Sequence, residues 1–282
     1  DTKKLESKKE RDRIVRNIWK QAVDFFFPMG TYCICCGKYI DHTRTYALCD
    51  HCIRHIRWGQ IEINLDAEGK HWKRPVYLDS ASACAFYGLY SRRLIFELKY
   101  NGHTYVARSI AEILCDRVAG DPAARRLLRA DWVVPVPIHK SRRKQRGFNQ
   151  TEKIGKHFIC LLQDKTGKAD REAQGISLKL LADGLIRTRA TSAQRALSEE
   201  ERYLNMQGVF MVPEHNRKRL QGKNVILIDD VYTTGATANQ CAQALKEAGA
   251  GEVHLLALAT GNDFARGYFA DEQDQVYRHP IS

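Results

Sequence analysis

The chain has 282 residues, 44% of them hydrophobic, and its 45 Lys and Arg against 33 Asp and Glu give a formal net charge of +12. That length holds one large or two modest domains of ordinary globular composition. No run approaches the roughly 20 uninterrupted apolar residues that cross a bilayer, so an integral membrane protein is not expected. The basic balance favours anionic partners such as nucleic acid, acidic lipid or phosphorylated ligands.

Ile14, Ile18 and Ala22 stand at i, i+4 spacing, as do Val15, Trp19 and Val23. A basic amphipathic helix is therefore expected over 1–28, docked on its own domain or lying on a membrane or partner. Residues 29–58 are rich in Cys. Residues 59–80 are polar and read as a linker or insertion. Strand and helix then alternate: strand 83–87, helix 94–100, and a helix around Ile110, Ile113 and Leu114. A short strand 132–136, a helix 150–162 and a polar loop 163–175 follow. Strand 225–228, helix 236–248 and strand 253–259 complete the series. Such alternation predicts an α/β fold over 81–270, an open, mostly parallel sheet with covering helices, and a C-terminal tail 271–282.

Among nine cysteines, Cys33-x-x-Cys36 and Cys49-x-x-Cys52 form two close pairs separated by twelve residues, and the other five are scattered. Scattered thiols suit a reducing compartment, so a cytoplasmic location is expected. Two such knuckles can wrap one tetrahedral Zn²⁺ with four sulfurs, and with all four ligand positions filled the site is structural. Cys35 lies inside the first knuckle, but the C-x-x-C geometry favours Cys33 with Cys36. His51, Arg54, His55, Arg57 and Trp58 flank the second knuckle. Basic residues beside an aromatic grip single-stranded nucleic acid by charge and stacking; the same residues also suit a module that only packs on its neighbour.

After strand 132–136 comes a cationic stretch in which Lys140, Arg142, Arg143, Lys144 and Arg146 fall within 140–146 and no acid lies between Trp132 and Thr151. A basic loop leaving a buried strand can neutralise pyrophosphate or a nucleic-acid backbone. Its candidate residues are Pro137, His139, Lys140, Arg142, Arg143, Arg146, Gly147, Asn149 and Gln150.

The densest local signal is 225–237, Val-Ile-Leu-Ile-Asp-Asp-Val-Tyr-Thr-Thr-Gly-Ala-Thr. An apolar strand runs into two acids, then a small hydroxyl- and glycine-rich turn opening a helix. Ligands of open α/β sheets bind at the carboxyl ends of strands, and N–H groups at a helix N-terminus cradle phosphate. Asp229 and Asp230 are acceptors suited to ribose hydroxyls or hydrated Mg²⁺. A nucleoside triphosphatase would also need a G-x-x-x-x-G-K-[ST] loop, which the chain lacks.

This stretch resembles the signature by which type I phosphoribosyltransferases bind 5-phosphoribosyl-1-pyrophosphate (PRPP). The resemblance implies that Asp229 and Asp230 face the ribose and that Val231 and Tyr232 lead into a 5′-phosphate loop of Thr233, Thr234, Gly235, Ala236 and Thr237. Mg²⁺ would accompany the pyrophosphate. Val-Pro-Val-Pro with Arg-Gly-Phe-Asn-Gln, the Leu98-Lys99-Tyr100 stretch, and Thr191, Gln194, Leu197, Arg202, Asn205, Gly208 and Phe210 in order narrow the likeness to the ComF branch. It covers about 31–262, with longer polar insertions at 59–78 and 163–176.

The ComF resemblance implies an N-terminal zinc module and a role in DNA uptake during natural transformation. It implies action on incoming single-stranded DNA at the inner face of the cytoplasmic membrane, beside a helicase-type competence protein. The alternative is an active phosphoribosyltransferase of nucleotide or related metabolism with an unknown acceptor. Related enzymes close a hood over PRPP to exclude water; the candidate here is 187–202, with Arg187, Arg189, Thr191, Gln194, Arg202 and Asn205 in or beside it.

Overall fold

The computed structural model describes residues 32–41, 43–100, 105–165, 177–189, 206–261 and 265–266. The helix expected over 1–28 and the tail 271–282 lie outside the described residues. The chain divides into two compact units, 1–55 and 56–282.

In the first unit the chain doubles back at an isolated bridge between Tyr32 and Tyr39. The Cys33 amide donates to the Lys38 carbonyl and the Gly37 amide to the Cys33 carbonyl, both at 2.8 Å. A short helix α1 (Asp50–His55) follows. Among the described residues of this unit, four of the buried apolar positions are sulfurs (Cys33, Cys35, Cys49 and Cys52), beside Ile34, Ile40 and Leu48. A core of these few side chains gives little stability without a staple.

The second unit is built on a seven-stranded sheet of order β4-β3-β7-β8-β2-β1-β9. Its strands are β1 (Trp58–Ile63), β2 (Ser80–Phe86), β3 (Trp132–Pro135), β4 (Lys179–Leu180), β7 (Val225–Tyr232), β8 (Val253–Thr260) and β9 (Ala265–Arg266). The run β4-β3-β7-β8-β2 is parallel, and β1 pairs antiparallel with both β2 and β9. Two further strands, β5 (Ile186–Arg187) and β6 (Phe210–Met211), form a separate antiparallel pair. The helices of this unit are α2 (Leu65–Trp72), α3 (Leu89–Tyr100), α4 (Val106–Gly120), α5 (Pro122–Arg125), α6 (Lys140–Arg146), α7 (Gln150–Lys165), α8 (Glu214–Leu220) and α9 (Ala236–Glu247).

Every residue of β8 and the first four of β7 are buried, as befits parallel strands covered on both faces. Val225, Leu227, Val253 and Leu255 share one core cluster with Cys241, Ala242 and Leu245 of α9. The alternating partners Ile226, Ile228, Leu256 and Leu258 point to the opposite face. There α4 and α7 pack on each other and on β2, β3, β7 and β8.

Three expectations need correction. Residues 59–80, expected as a linker or insertion, carry regular structure: β1 takes a place in the sheet between β2 and β9, and α2 follows it. Their pattern was hard to read because Gly59, Gln60 and a register shift between Trp58 and Ile61 break the alternation of buried Ile61 and Ile63 with exposed Glu62. The cationic stretch is a helix, α6, with almost no apolar face to give it a period. Residues 163–165, expected to open a polar loop, belong to α7, which runs to Lys165; the expected loop residues 166–175 lie outside the described residues.

Candidate functional site

Strand β7 continues through both acids to Tyr232, so Asp229 and Asp230 point to opposite faces of the sheet. Asp229 is half-buried and Asp230 buried. The Asp230 amide donates to Asp229 Oδ1 at 2.8 Å. Asp230 Oδ2 accepts from Lys99 Nζ at 2.6 Å and from Gln150 Nε2 at 3.5 Å. Burial, and then the Asp230 carboxylate, push Asp229 up to about 8. Burial pulls Lys99 down, but its contact with Asp230 outweighs this and holds it above its ordinary value.

The turn beyond β7 is built for backbone donation. Gly235 has φ +70° in the left-handed region and caps the twelve-residue α9, a conformation that costs glycine least. Thr233 is exposed, Thr234, Gly235 and Ala236 are buried, and Thr237 is intermediate. Val231 is half-buried, and the buried Tyr232 accepts from the Gly261 amide at 3.1 Å. The first amides of α9 and its dipole favour an anion here. The Arg74 guanidinium, from the segment between α2 and β2, donates to the Thr234 carbonyl. Asn239 fastens the same segment, donating to the Pro75 carbonyl at 2.8 Å and accepting from the Tyr77 amide at 2.7 Å.

The cationic segment meets the acid pair at one end. Arg146 donates to Gln150 Oε1 at 3.0 Å, and its guanidinium lies 5.2 Å from the centroid of the Tyr100 ring. Gln150 in turn reaches Asp230, so Tyr100, Arg146, Gln150, Asp230 and Lys99 form one connected cluster. Other members of the segment serve the backbone. His139 Nδ1 accepts from the Ser141 amide to cap α6, and Gly147 ends it, its backbone N–H donating to the Arg143 carbonyl. Buried Asn149 caps α7, accepting from the Thr151 amide at 3.3 Å and donating to the Val136 carbonyl at 3.2 Å. Lys140, Arg142 and Arg143 are exposed on α6, Arg143 pairing with Glu152 at 3.1 Å, and Pro137 is half-buried two residues past the end of β3.

Of the hood candidates, Arg187 and Arg189 are described, at the root of the β5–β6 pair; Thr191, Gln194, Arg202 and Asn205 lie outside the described residues. Arg187 stacks 5.6 Å from the Phe210 ring centroid. Burial, and then the neighbouring Arg142, draw it below its ordinary value, and Asp229 acts in the opposite sense. Arg187 thus lies within electrostatic reach of Asp229.

In the first unit the sulfurs of Cys33, Cys36, Cys49 and Cys52 all lie within 4.8 Å of one another, with Cys36 and Cys49 3.7 Å apart. Four thiolates at Zn–S distances of about 2.3 Å would stand about 3.8 Å apart in a tetrahedron, so the donor set and spacing suit such an ion. Cys35, though buried, is not in the cluster. Burial pushes Cys49 up, but donation from the Cys52 amide and the neighbouring thiols bring it down to about 7.

Sequence reasoning did not mark Lys99, Arg74 or Asn239 as site residues. Lys99 lay within the Leu-Lys-Tyr stretch, which hinted at it; Arg74 reaches the turn across 160 positions of sequence, and no local pattern announces it.

Residues 176–274 match the phosphoribosyl transferase domain family. The chain is 23% identical to Competence protein F of Haemophilus influenzae, over 80% of this chain and 89% of that one. It is 28% identical to DNA utilization protein YhgH of Escherichia coli K12, spanning 58% of this chain and 65% of the relative's length. Competence protein ComFC of Bacillus subtilis is 32% identical over 42% of this chain and 39% of that one. Among solved structures, glutamine PRPP amidotransferase from B. subtilis aligns with 23% identity, a TM-score of 0.32, and 57% of this chain against 30% of that one. Among the described residues, no helix is long and apolar enough to cross a membrane.

Proposed function

From a chain that carries a phosphoribosyl transferase domain and has homologues named for competence and DNA utilization, we propose a PRPP-binding protein with a structural zinc module that acts in DNA uptake. The observation that carries the reading is the end of β7, where two acids precede a glycine-capped helix N-terminus. The first amides of α9 would hold the 5′-phosphate, Asp229 and Asp230 the ribose hydroxyls, and Lys99 and Arg146 would face the pyrophosphate. Mg²⁺ would supply further charge neutralisation at that group. Cys33, Cys36, Cys49 and Cys52 would hold Zn²⁺. Titration calorimetry of PRPP with Mg²⁺ tests this: micromolar or tighter binding, lost in the Asp229→Asn, Asp230→Asn double variant, is expected. Binding that survives the double substitution would reject the site.

A DNA role has its own support. Leu89, Phe96 and Tyr100 are exposed along α3, Phe96 and Tyr100 being 50% and 61% accessible. Their ring centroids lie 4.8 Å apart, and Arg92 and Arg93 are exposed on the same helix. Flat aromatic faces among cations take unpaired bases and their phosphates. Single-stranded DNA on α3 and α6, presented beside a PRPP pocket, would unite the two readings at the inner face of the cytoplasmic membrane, with a helicase-type partner. If the site instead turns over, phosphoribosyl transfer to an added acceptor would release pyrophosphate, and charge placement around C1 would carry the catalysis.

A further inference from the structure

We propose that Arg74 is a positioning residue for the phosphate-binding turn, which makes the α2–β2 segment a determinant of selectivity for ligands ending in a phosphate monoester. The inference rests on the reading of the β7 turn as a phosphate site and adds a component from outside its motif.

The turn has an intrinsic weakness. The peptide joining Thr234 to Gly235 is flanked by a left-handed glycine with φ +70°, and glycine tolerates the alternative orientation almost as well. In a planar trans peptide the C=O and N–H point in opposite directions. Turning the Thr234 carbonyl inward would thus withdraw the Gly235 N–H and set an oxygen against the phosphate. Arg74 holds that carbonyl through a charged donor, fixing the Gly235 N–H on the other side of the turn. A hydrogen bond from a guanidinium is among the stronger ones available.

The segment bearing Arg74 is itself held at several points. Lys73 ends α2 in the left-handed region, and the Arg74 amide donates to the Gly69 carbonyl at 3.2 Å. Gly69 leaves room for Val76, whose Cγ2 would stand only 2.8 Å from an added Cβ. Beyond it, both polar atoms of the buried Asn239 amide are used by Pro75 and Tyr77. Since Asn239 lies in the first turn of α9, the helix that offers its amides to an anion also anchors the segment that fixes the turn.

The test separates the two ends of the ligand. Ribose 5-phosphate and magnesium pyrophosphate are titrated singly into the full chain and three variants, with melting curves recorded alongside. Arg74→Ala is expected to weaken ribose 5-phosphate about 10-fold while leaving pyrophosphate affinity and Tm unchanged. Arg74→Lys should recover part of the loss, because an ammonium can still donate to the carbonyl. Gly69→Val keeps the charge but crowds Val76, and should lose the same ligand selectively. Unchanged ribose 5-phosphate binding in Arg74→Ala, or equal weakening of both ligands, would overturn the proposal while the site reading stands. A parent chain that binds neither ligand removes the site reading and this inference together.

Discussion

Lys99 Nζ stands 2.6 Å from Asp230 Oδ2, joining the last turn of α3 to the acid pair of β7. A ligand hydroxyl or a metal ion that claims Asp230 must compete with this lysine. Lys99→Met should leave Asp230 buried beside Asp229 without its counter-charge, costing about 1–3 kcal/mol of stability at neutral pH. Urea unfolding at neutral pH checks it: Lys99→Arg, which keeps a cation at that position, should recover most of the deficit. An equal deficit in Lys99→Arg would mean that packing of the lysine stem matters more than its charge.

Asp229, held up at about 8 by burial and Asp230, keeps a proton in the folded protein that the unfolded chain releases near 3.8. Its contribution to stability is therefore complete below that lower value and is lost as pH rises through about 8. A ligand that needs the carboxylate should bind more tightly as pH climbs towards 8. Asp229→Asn should flatten that rise in a titration series and raise Tm by about 2–4 °C near pH 8.

Asn149 is expected to act through the fold. Replacing it by Ala removes the cap of α7 and a bond to the Val136 carbonyl, for a loss of about 1–2 kcal/mol in denaturant unfolding. PRPP affinity in the folded fraction should change less than in Arg146→Ala, whose guanidinium belongs to the cluster around Asp230.

Metal analysis of the purified chain should return about one zinc per molecule. Cys36→Ser or Cys49→Ser should lower that content sharply and unfold the first unit, read as lost protection of the α1 amides in hydrogen exchange. A folded, metal-free parent chain would reject the four-thiolate assignment.

Phe96→Ala with Tyr100→Ala should weaken binding of a single-stranded oligonucleotide about 10-fold or more, since stacking is worth about 1–3 kcal/mol per base. The parent affinity should fall steeply with salt. Duplex of the same sequence, whose bases are already stacked, should be insensitive to the pair of substitutions.

The sheet's buried centre was legible because its chemistry is local. Val225–Ile228 and Val253–Thr260 are near-continuous apolar runs of the kind that covered parallel strands accommodate, and the acids and Gly235 follow the first within a few positions. The two CxxC knuckles were legible for the same reason. What escaped was either weakly patterned or non-local. Helix α6 rests on its His139 and Gly147 caps and has almost no apolar stripe. Strand β1 is interrupted by a register shift. Arg74 and Lys99 join the site from elements 160 and 131 positions away from Thr234 and Asp230, distances set by topology and invisible in any window of sequence.

Strand β9 closes against β1 through the pairs Glu62–Arg266 and Ile63–Ala265, so the first and the last described strands of the second unit lie side by side at one edge of its sheet. Joining them with a short linker and opening the chain elsewhere would preserve every strand neighbour, which makes the unit a candidate for circular permutation. New termini placed at an exposed turn such as Gly222, on the loop before β7, would leave the β7–α9 turn uncut. A permuted chain of this kind could carry a reporter at a position that the natural order of the sequence does not offer.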